Sequence, residues 1–162
     1  MQLLTIIIPY YNRAYALNLT LKSIFNSIDK EYIKVKLINN CSEDFVRSDL
    51  KEYEDKGLDI INYDTYQDMA NNWNRALTHS NTEYTALMHV GDIYVKDTIS
   101  RIHELLIENR KYDVYLFGER VLNQYDRFAK NHKDIVNRKL FPNITQIIWK
   151  TKSIKFNFQQ KY

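Results

Sequence analysis

Glycine, proline and cysteine are scarce in this chain, at 3, 2 and 1 of 162 residues. So few turn formers argue against a loop-rich or all-β design. The single cysteine, Cys41, excludes an internal disulfide and fits a reducing cytoplasm. Long apolar runs are missing too, and none approaches the roughly 18 residues of a membrane span. The apolar run at 3–8 is only strand-sized, and no charged region precedes it as in a cleavable leader. Charge of one sign is also short, with a net charge of +3. Basic clusters do not alternate with aromatics, so nucleic acid is not an expected partner.

What is present is an ordinary globular composition, 44% hydrophobic and 27% charged, in a length that suits one domain with a proper core. Aromatics reach 14%, including 13 Tyr, enough to furnish ring surfaces for stacking. The small positive charge is unevenly spread. After Arg120 come Arg127, Lys130, Lys133, Arg138, Lys139, Lys150, Lys152, Lys155 and Lys161, against Asp126 and Asp134. Such a flank reads first as a solvated face, and second as a surface for anionic lipid or a phosphate-bearing ligand.

The hydrophobic pattern alternates between two periods. LLTIIIP (3–9) is a continuous β-branched run, the signature of a strand buried on both faces. Leu17, Leu21, Ile24, Phe25 and Ile28 then recur at helical spacing, predicting a helix over 14–28. IKVKLI (33–38) and LDIIN (58–62) read as strands, separated by a weaker helix marked by Phe45, Leu50 and Tyr53. Ala70, Trp73, Asn74 and Leu77 line a further helix before the strand EYTALMH (83–89). Asp97 is the expected N-cap of a helix containing Ile99, Ile102, Leu105 and Leu106. YDVYLFG (112–118) and TQIIWK (145–150) read as later strands, and 119–143 as a variable excursion. This alternation predicts an α/β fold, a mostly parallel sheet with helices on both faces. Ligands of such sheets bind beyond the carboxyl ends of the strands. Those ends carry Pro9-Tyr10-Tyr11-Asn12, Asn39-Asn40-Cys41-Ser42 and His89-Val90-Gly91-Asp92. No glycine-rich loop follows the first strand, which excludes a dinucleotide fingerprint and a Walker A loop.

Three stretches, taken together and in order, resemble the family-2 glycosyltransferases. TIIIPYYNRAYALNLTLKSIFNS is similar to their first strand, which ends in a Pro-x-Tyr-Asn-Arg type turn. KLINNCSED is similar to their second strand, which usually ends Val-Asp-Asp-Gly-Ser-x-Asp. NNWNRALTHSNTEYTALMHVGD is similar to a segment with Asn-x-x-Arg and an apolar strand ending in an acidic metal motif. The match spans about residues 4–105 and implies a GT-A (Rossmann-like) fold in one domain. Residues 1–110 would form the nucleotide-sugar-binding half and 111–162 a shortened acceptor side.

The resemblance also implies a reaction: inverting transfer from a nucleotide sugar, expected to be a UDP-sugar, with Mn2+ or Mg2+ as cofactor. The acceptor would be a bacterial-type surface polysaccharide or glycolipid, placing the protein in the cytoplasm or at the inner face of the membrane through its basic flank. Pro9, Tyr11, Asn12, Asn39, Asn40 and Arg75 fall on nucleotide-binding positions, with Tyr11 as the ring that stacks on the base. Asn39 and Asn40 replace an acidic pair, and an uncharged amide accepts a hydrogen bond more weakly than a carboxylate. Asp92 falls on the metal-binding acid, while Val90 and Gly91 leave the motif with one carboxylate. His89 reads as a strand-end packing residue, since imidazole suits hard cations less well than carboxylate. The family's catalytic base is an Asp following a segment similar to IIWKTKSIKFNFQQKY. Among Glu104, Glu108, Asp113, Glu119, Asp126 and Asp134 none has a matching context.

Those departures keep a second reading open, a non-catalytic nucleotide-binding or interaction module on the same scaffold. Dimerisation or a partner subunit would then cover unfinished sheet edges. A receiver-like fold would need an acidic cluster after the first strand, which residues 9–12 lack. Cys41 as a nucleophile finds no neighbouring base, and His79, His89, His103 and His132 lack zinc-ligand spacing.

Overall fold

In a computed structural model of the chain, which describes residues 2–26, 32–95, 97–118 and 144–152, the first apolar run forms β1 (Leu4–Tyr10). Every residue of β1 is buried, as its β-branched run requires of a central strand. Parallel neighbours flank it on both sides: β2 (Ile33–Asn40), which in turn pairs with β3 (Leu58–Tyr63), and β4 (Tyr84–Leu87). β6 (Ile144–Lys150) pairs antiparallel with β4, and β5 (Val114–Gly118) pairs antiparallel with β6, giving the order β3-β2-β1-β4-β6-β5.

Alternation along β1 divides the core between the two faces. Ile6, Ile8 and Tyr10 join Leu17, Leu21 and Ile24 of α1 (Ala14–Phe25) and Ile99, Ile102 and Leu106 of α4 (Thr98–Glu108). Leu50 and Tyr53, from a 3-10 turn (Arg47–Leu50) and the single-turn α2 (Lys51–Asp55), complete that face. Ile7 instead packs with Ile38, Leu87 and Ala76 of α3 (Met69–Leu77) on the other. The change of face has a topological cause. The chain runs outward from β1 through β2 to β3, then returns across the sheet to β4. Right-handed crossovers running in opposite directions put their helices on opposite faces.

The order of elements agrees with the sequence reading, and the differences lie at their ends. β2 runs two residues further, to Asn40, while β4 stops at Leu87 instead of residue 89. α1 ends at Phe25; positions 27–28 of the expected helix, the segment 119–143 and most of the basic flank lie outside the described residues. Asp97 occupies the N-cap position of α4 but makes no side-chain cap hydrogen bond. Its φ of 65° is left-handed, and side-chain capping needs the extended conformation. Among the described residues no helix is long and apolar enough to cross a membrane.

Cys41 also has a positive φ, 57°, at the position where the family motif carries glycine. A side chain there costs about 1–2 kcal/mol, whereas glycine costs roughly 0.4–1 kcal/mol through unfolded-chain entropy. Cys41→Gly should therefore raise stability slightly, by about 0.5 kcal/mol, while branched Cys41→Val should lower it by about 1 kcal/mol or more. Denaturant midpoints of the two variants check the sign.

Candidate functional site

The strand order reverses between β1 and β4, and crevices at such switch points are where open α/β sheets bind ligands. The loop after β1 carries Tyr11, and the loop after β4 carries Asp92.

The first loop is stapled to the loop after β2. Asn12 donates its N–H to Ser42 Oγ at 3.1 Å, and its own Oδ1 accepts the N–H of Glu43 at 3.0 Å. Asp44 Oδ2 accepts the N–H groups of Arg13 (2.7 Å) and Ala14 (2.8 Å), and Oδ1 accepts the buried Tyr10 hydroxyl. Asp44 thus caps α1 from 30 residues away, which matters because Arg13, at the N-cap position, is left-handed and makes no side-chain cap. The consecutive positive φ angles at Asn12 (45°) and Arg13 (95°) are held in place by these bonds. Burial alone would raise the Asp44 pKa, but the Tyr10 hydroxyl and the Ala14 and Arg13 N–H groups hold it below the ordinary carboxylate range. Tyr10 is pushed well above its ordinary value, by burial first and then by Asp44, so it remains a hydroxyl donor. Between two pinned neighbours, Tyr11 projects its ring outward, 45% exposed.

The other nucleotide-binding candidates lie deeper. Pro9 is buried within β1 beside Ile38. Asn39 (6% exposed) accepts the N–H of Ser42 at 3.2 Å and donates to Asn62 Oδ1, also at 3.2 Å, across the β2–β3 pair. Asn40 (2% exposed) bonds the backbone of Gln67 twice, accepting its N–H and donating to its carbonyl, each at 2.9 Å. Arg75 reaches Asn40 Oδ1 at 2.5 Å, Asn72 Oδ1 at 3.0 Å and the Thr65 carbonyl at 3.2 Å. Its guanidinium lies 3.7 Å over the Tyr63 ring, a cation–π contact, and its Nε is buried without a partner. The structure therefore brings Asn40 and Arg75, 35 residues apart, into one node that anchors the loop between β3 and α3.

Two roles in that loop were not legible in the sequence. Asp68 caps α3 by accepting the N–H of Asn71 at 3.0 Å, the bond that chiefly lowers its pKa. Tyr66 places its ring 4.8 Å from that of Tyr11, tilted 55°. A further pair lies behind Arg75: the Tyr63 hydroxyl meets His79 Nε2 at 2.7 Å. Burial first, then Lys36, lowers the His79 pKa, so that ring favours its neutral form.

After β4, Gly91 makes the turn with φ 104°, a conformation that strains any other residue. Thr20 of α1, fully buried, accepts the Gly91 N–H and donates to the Asp92 carbonyl, each at 2.9 Å. Ser23 likewise accepts the N–H of Tyr94 at 3.1 Å. Asp92 keeps a half-exposed carboxylate, with His89 Nδ1 3.7 Å from Oδ2. The His89 ring stacks on Trp73 at 4.6 Å and 25°, and its Nε2 is buried without a partner. Among the described residues no three His, Cys, Asp or Glu side chains converge as a metal cluster. One carboxylate beside one imidazole does fit a cation shared with a diphosphate, since magnesium-type sites use one or two carboxylates plus substrate oxygens. It does not fit a cation held by protein alone.

The family sequence model described as "Glycosyl transferase family 2" matches residues 5–160. Among solved structures, S. aureus TarS (residues 1–349) in complex with UDP is similar at 22% identity and TM-score 0.68, over 76% of this chain and 37% of that one. TarS in complex with UDP-GlcNAc gives TM-score 0.69 at 22% identity, over 76% of this chain and 36% of that one. The mannosyltransferase PcManGT from Pyrobaculum calidifontis, in complex with GDP-Man and Mn2+, gives 0.59 at 19% identity, over 68% of this chain and 34% of that one. These likenesses show a GT-A fold, and the chain spans little more than a third of the length of these relatives. No curated protein matches by sequence.

Proposed function

The chain belongs to glycosyltransferase family 2, and from that premise we propose that it binds a nucleoside-diphosphate sugar, a UDP-sugar first, and transfers the sugar to a saccharide or lipid-linked acceptor. The observation that carries this reading is the placement of Tyr11 and Asp92 beyond the carboxyl ends of adjacent parallel strands, at the switch point of the sheet.

Tyr11 supplies the ring face for the nucleobase. Pro9, Asn12, Asn39, Asn40 and Arg75 are the further residues assigned to the nucleotide site in this reading, with the Asn39 amide, which keeps one N–H and one oxygen lone pair beyond its bonds to Asn62 and Ser42, for the base edge. Asp92 would hold a divalent cation, Mn2+ or Mg2+, with His89 beside it. When bound, that cation supplies positive charge for the departing diphosphate. Stapling of the loop after β1 and anchoring of residues 91–92 on Thr20 fix these groups before the ligand arrives, so less ordering entropy is lost on binding.

Calorimetric titration of UDP with and without Mn2+ tests the binding half of this reading, and release of UDP from UDP-sugars tests the transfer half. Binding should be strengthened by Mn2+, roughly tenfold or more, as expected for a site in which protein and diphosphate share the ion. Absence of UDP binding under both conditions would overturn the reading. Binding with no turnover of any nucleotide sugar would favour a nucleotide-binding module, the reading that the single carboxylate at Asp92 also suits.

A further inference from the structure

We propose that Tyr66 is a movable second wall of the nucleobase site, turning aside to admit the base between its ring and that of Tyr11; this rests on the nucleotide-binding reading above. Two large rings face each other at the mouth of the site from different loops. Both are exposed, Tyr11 at 45% and Tyr66 at 57%, yet neither is packed into the core. An exposed aromatic pair with centroids 4.8 Å apart and tilted 55° is in contact and leaves no room for a third ring. A base stacked between two rings needs about 3.5 Å on each side, so the centroids must part to about 7 Å. The backbone of neither loop is placed to supply that movement. Asn12 and the Tyr10–Asp44 bond pin the residues on either side of Tyr11. Arg75 holds the carbonyl of Thr65, and Asn40 holds both backbone groups of Gln67, pinning both neighbours of Tyr66.

Rotation of a surface tyrosine about χ1 is the motion left, and it is fast. Two consequences follow. Asn40 and Arg75 act as positioning residues, holding the loop so that the Tyr66 ring stands opposite Tyr11. Base capture exchanges one ring–ring contact for two ring–base contacts, a net gain for any planar base. Sequence preference at the base edge is left to polar groups at the floor, since stacking itself tolerates every base.

The test measures Kd for UDP with Mn2+ and for inorganic pyrophosphate with Mn2+ in wild type, Tyr66→Ala and Tyr66→Phe. Pyrophosphate carries no base, so it reports the diphosphate subsite alone. Tyr66→Ala should weaken UDP by roughly three- to thirtyfold, the loss of one base stack less the ring–ring contact given up. Pyrophosphate affinity should stay within twofold, and Tyr66→Phe should bind UDP as wild type does. UDP affinity unchanged or tightened in Tyr66→Ala would overturn the inference while leaving nucleotide binding intact. Equal weakening of UDP and pyrophosphate would also overturn it, because the effect would then come from the loop and not the ring. Failure of the wild-type protein to bind UDP would instead remove the reading on which it rests.

Discussion

Asp92→Ala is expected to abolish the Mn2+-dependent part of UDP binding and to cut sugar transfer by about a hundredfold or more, the several kcal/mol that a metal contributes at a departing phosphate. The expectation is specific to the carboxylate because the hydrogen bonds that shape the turn at residues 91–92 run through its backbone. The backbone around Asp92 is fixed by the Thr20 hydroxyl on both sides and by the Asp92 N–H to the His89 carbonyl at 3.1 Å. The carboxylate itself is half exposed. Its removal should therefore change stability by no more than about 0.5 kcal/mol, as for other surface positions. Loss of Mn2+ dependence with an unchanged denaturant midpoint would place the ion on this carboxylate. UDP binding that keeps its full Mn2+ dependence in the variant would move the ion elsewhere. Val90 and Gly91 sharpen the point, since neither can take over as a ligand through its side chain.

The fold was legible wherever burial imposed a period. The β-branched run of β1, the helical spacing of Leu17, Leu21 and Ile24, and the strands after them were readable because each is set by local pattern and one face of burial. Their ends were less so. Asp97 has the residue type of an N-cap, but the chain enters α4 with a left-handed turn that residue type does not reveal. The reverse happened at α1, where the N-cap position holds Arg13 and the capping carboxylate comes from Asp44 in another loop. Spacing along a chain does not report a contact across 31 residues.

The site follows the same rule. The ends of β1, β2 and β4 were recognisable because polar residues follow apolar runs there, so Tyr11, Asn39, Asn40 and Asp92 stood out. Their neighbours did not. Tyr66 lies in a polar stretch with no period, and only the folded chain shows it against Tyr11. Arg75 and Asn40 were read separately, whereas the structure joins them in the node that holds Thr65 and Gln67. The replacement of an acidic pair by Asn39 and Asn40 also gains a physical account. Each amide both donates and accepts on the protein, Asn39 with Asn62 and Ser42, Asn40 with Gln67 and Arg75, and Asn39 still keeps one N–H and one oxygen lone pair. A carboxylate at either place could accept but not donate.

Removal of the Asp44 side chain is expected to cost more stability than either the Cys41 or the Asp92 substitutions. Asp44→Ala takes away the cap of α1, worth about 0.5–2 kcal/mol. It also strands the hydroxyl of Tyr10, which is fully buried, and an unpaired buried polar group costs about 1–3 kcal/mol. The expected loss is about 2–4 kcal/mol, measured as the shift in denaturant midpoint at constant slope. Pairing Asp44→Ala with Tyr10→Phe separates the two parts. If the stranded hydroxyl matters, the double variant recovers a portion of the loss, because the group left unpaired is then gone. A dependence on pH follows as well. The folded-state pKa of Asp44 is depressed, so its contribution is complete above the ordinary carboxylate pKa near about 3.9 and fades as pH falls through the lower folded value. Wild type and Asp44→Asn should accordingly differ by a constant amount above about pH 5, begin to approach each other as pH falls past about 3.9, and converge only below the depressed folded-state pKa. Tyr10 gives the opposite limb: its raised pKa keeps the hydroxyl donor through neutral pH, and the stability it contributes declines only above about pH 10. The loop that carries Tyr11 hangs on this pair. UDP affinity in Asp44→Ala, measured at a temperature where the variant remains folded, should fall along with the order of that loop. Unchanged UDP affinity would separate the staple from the site and leave Asp44 a role in stability alone.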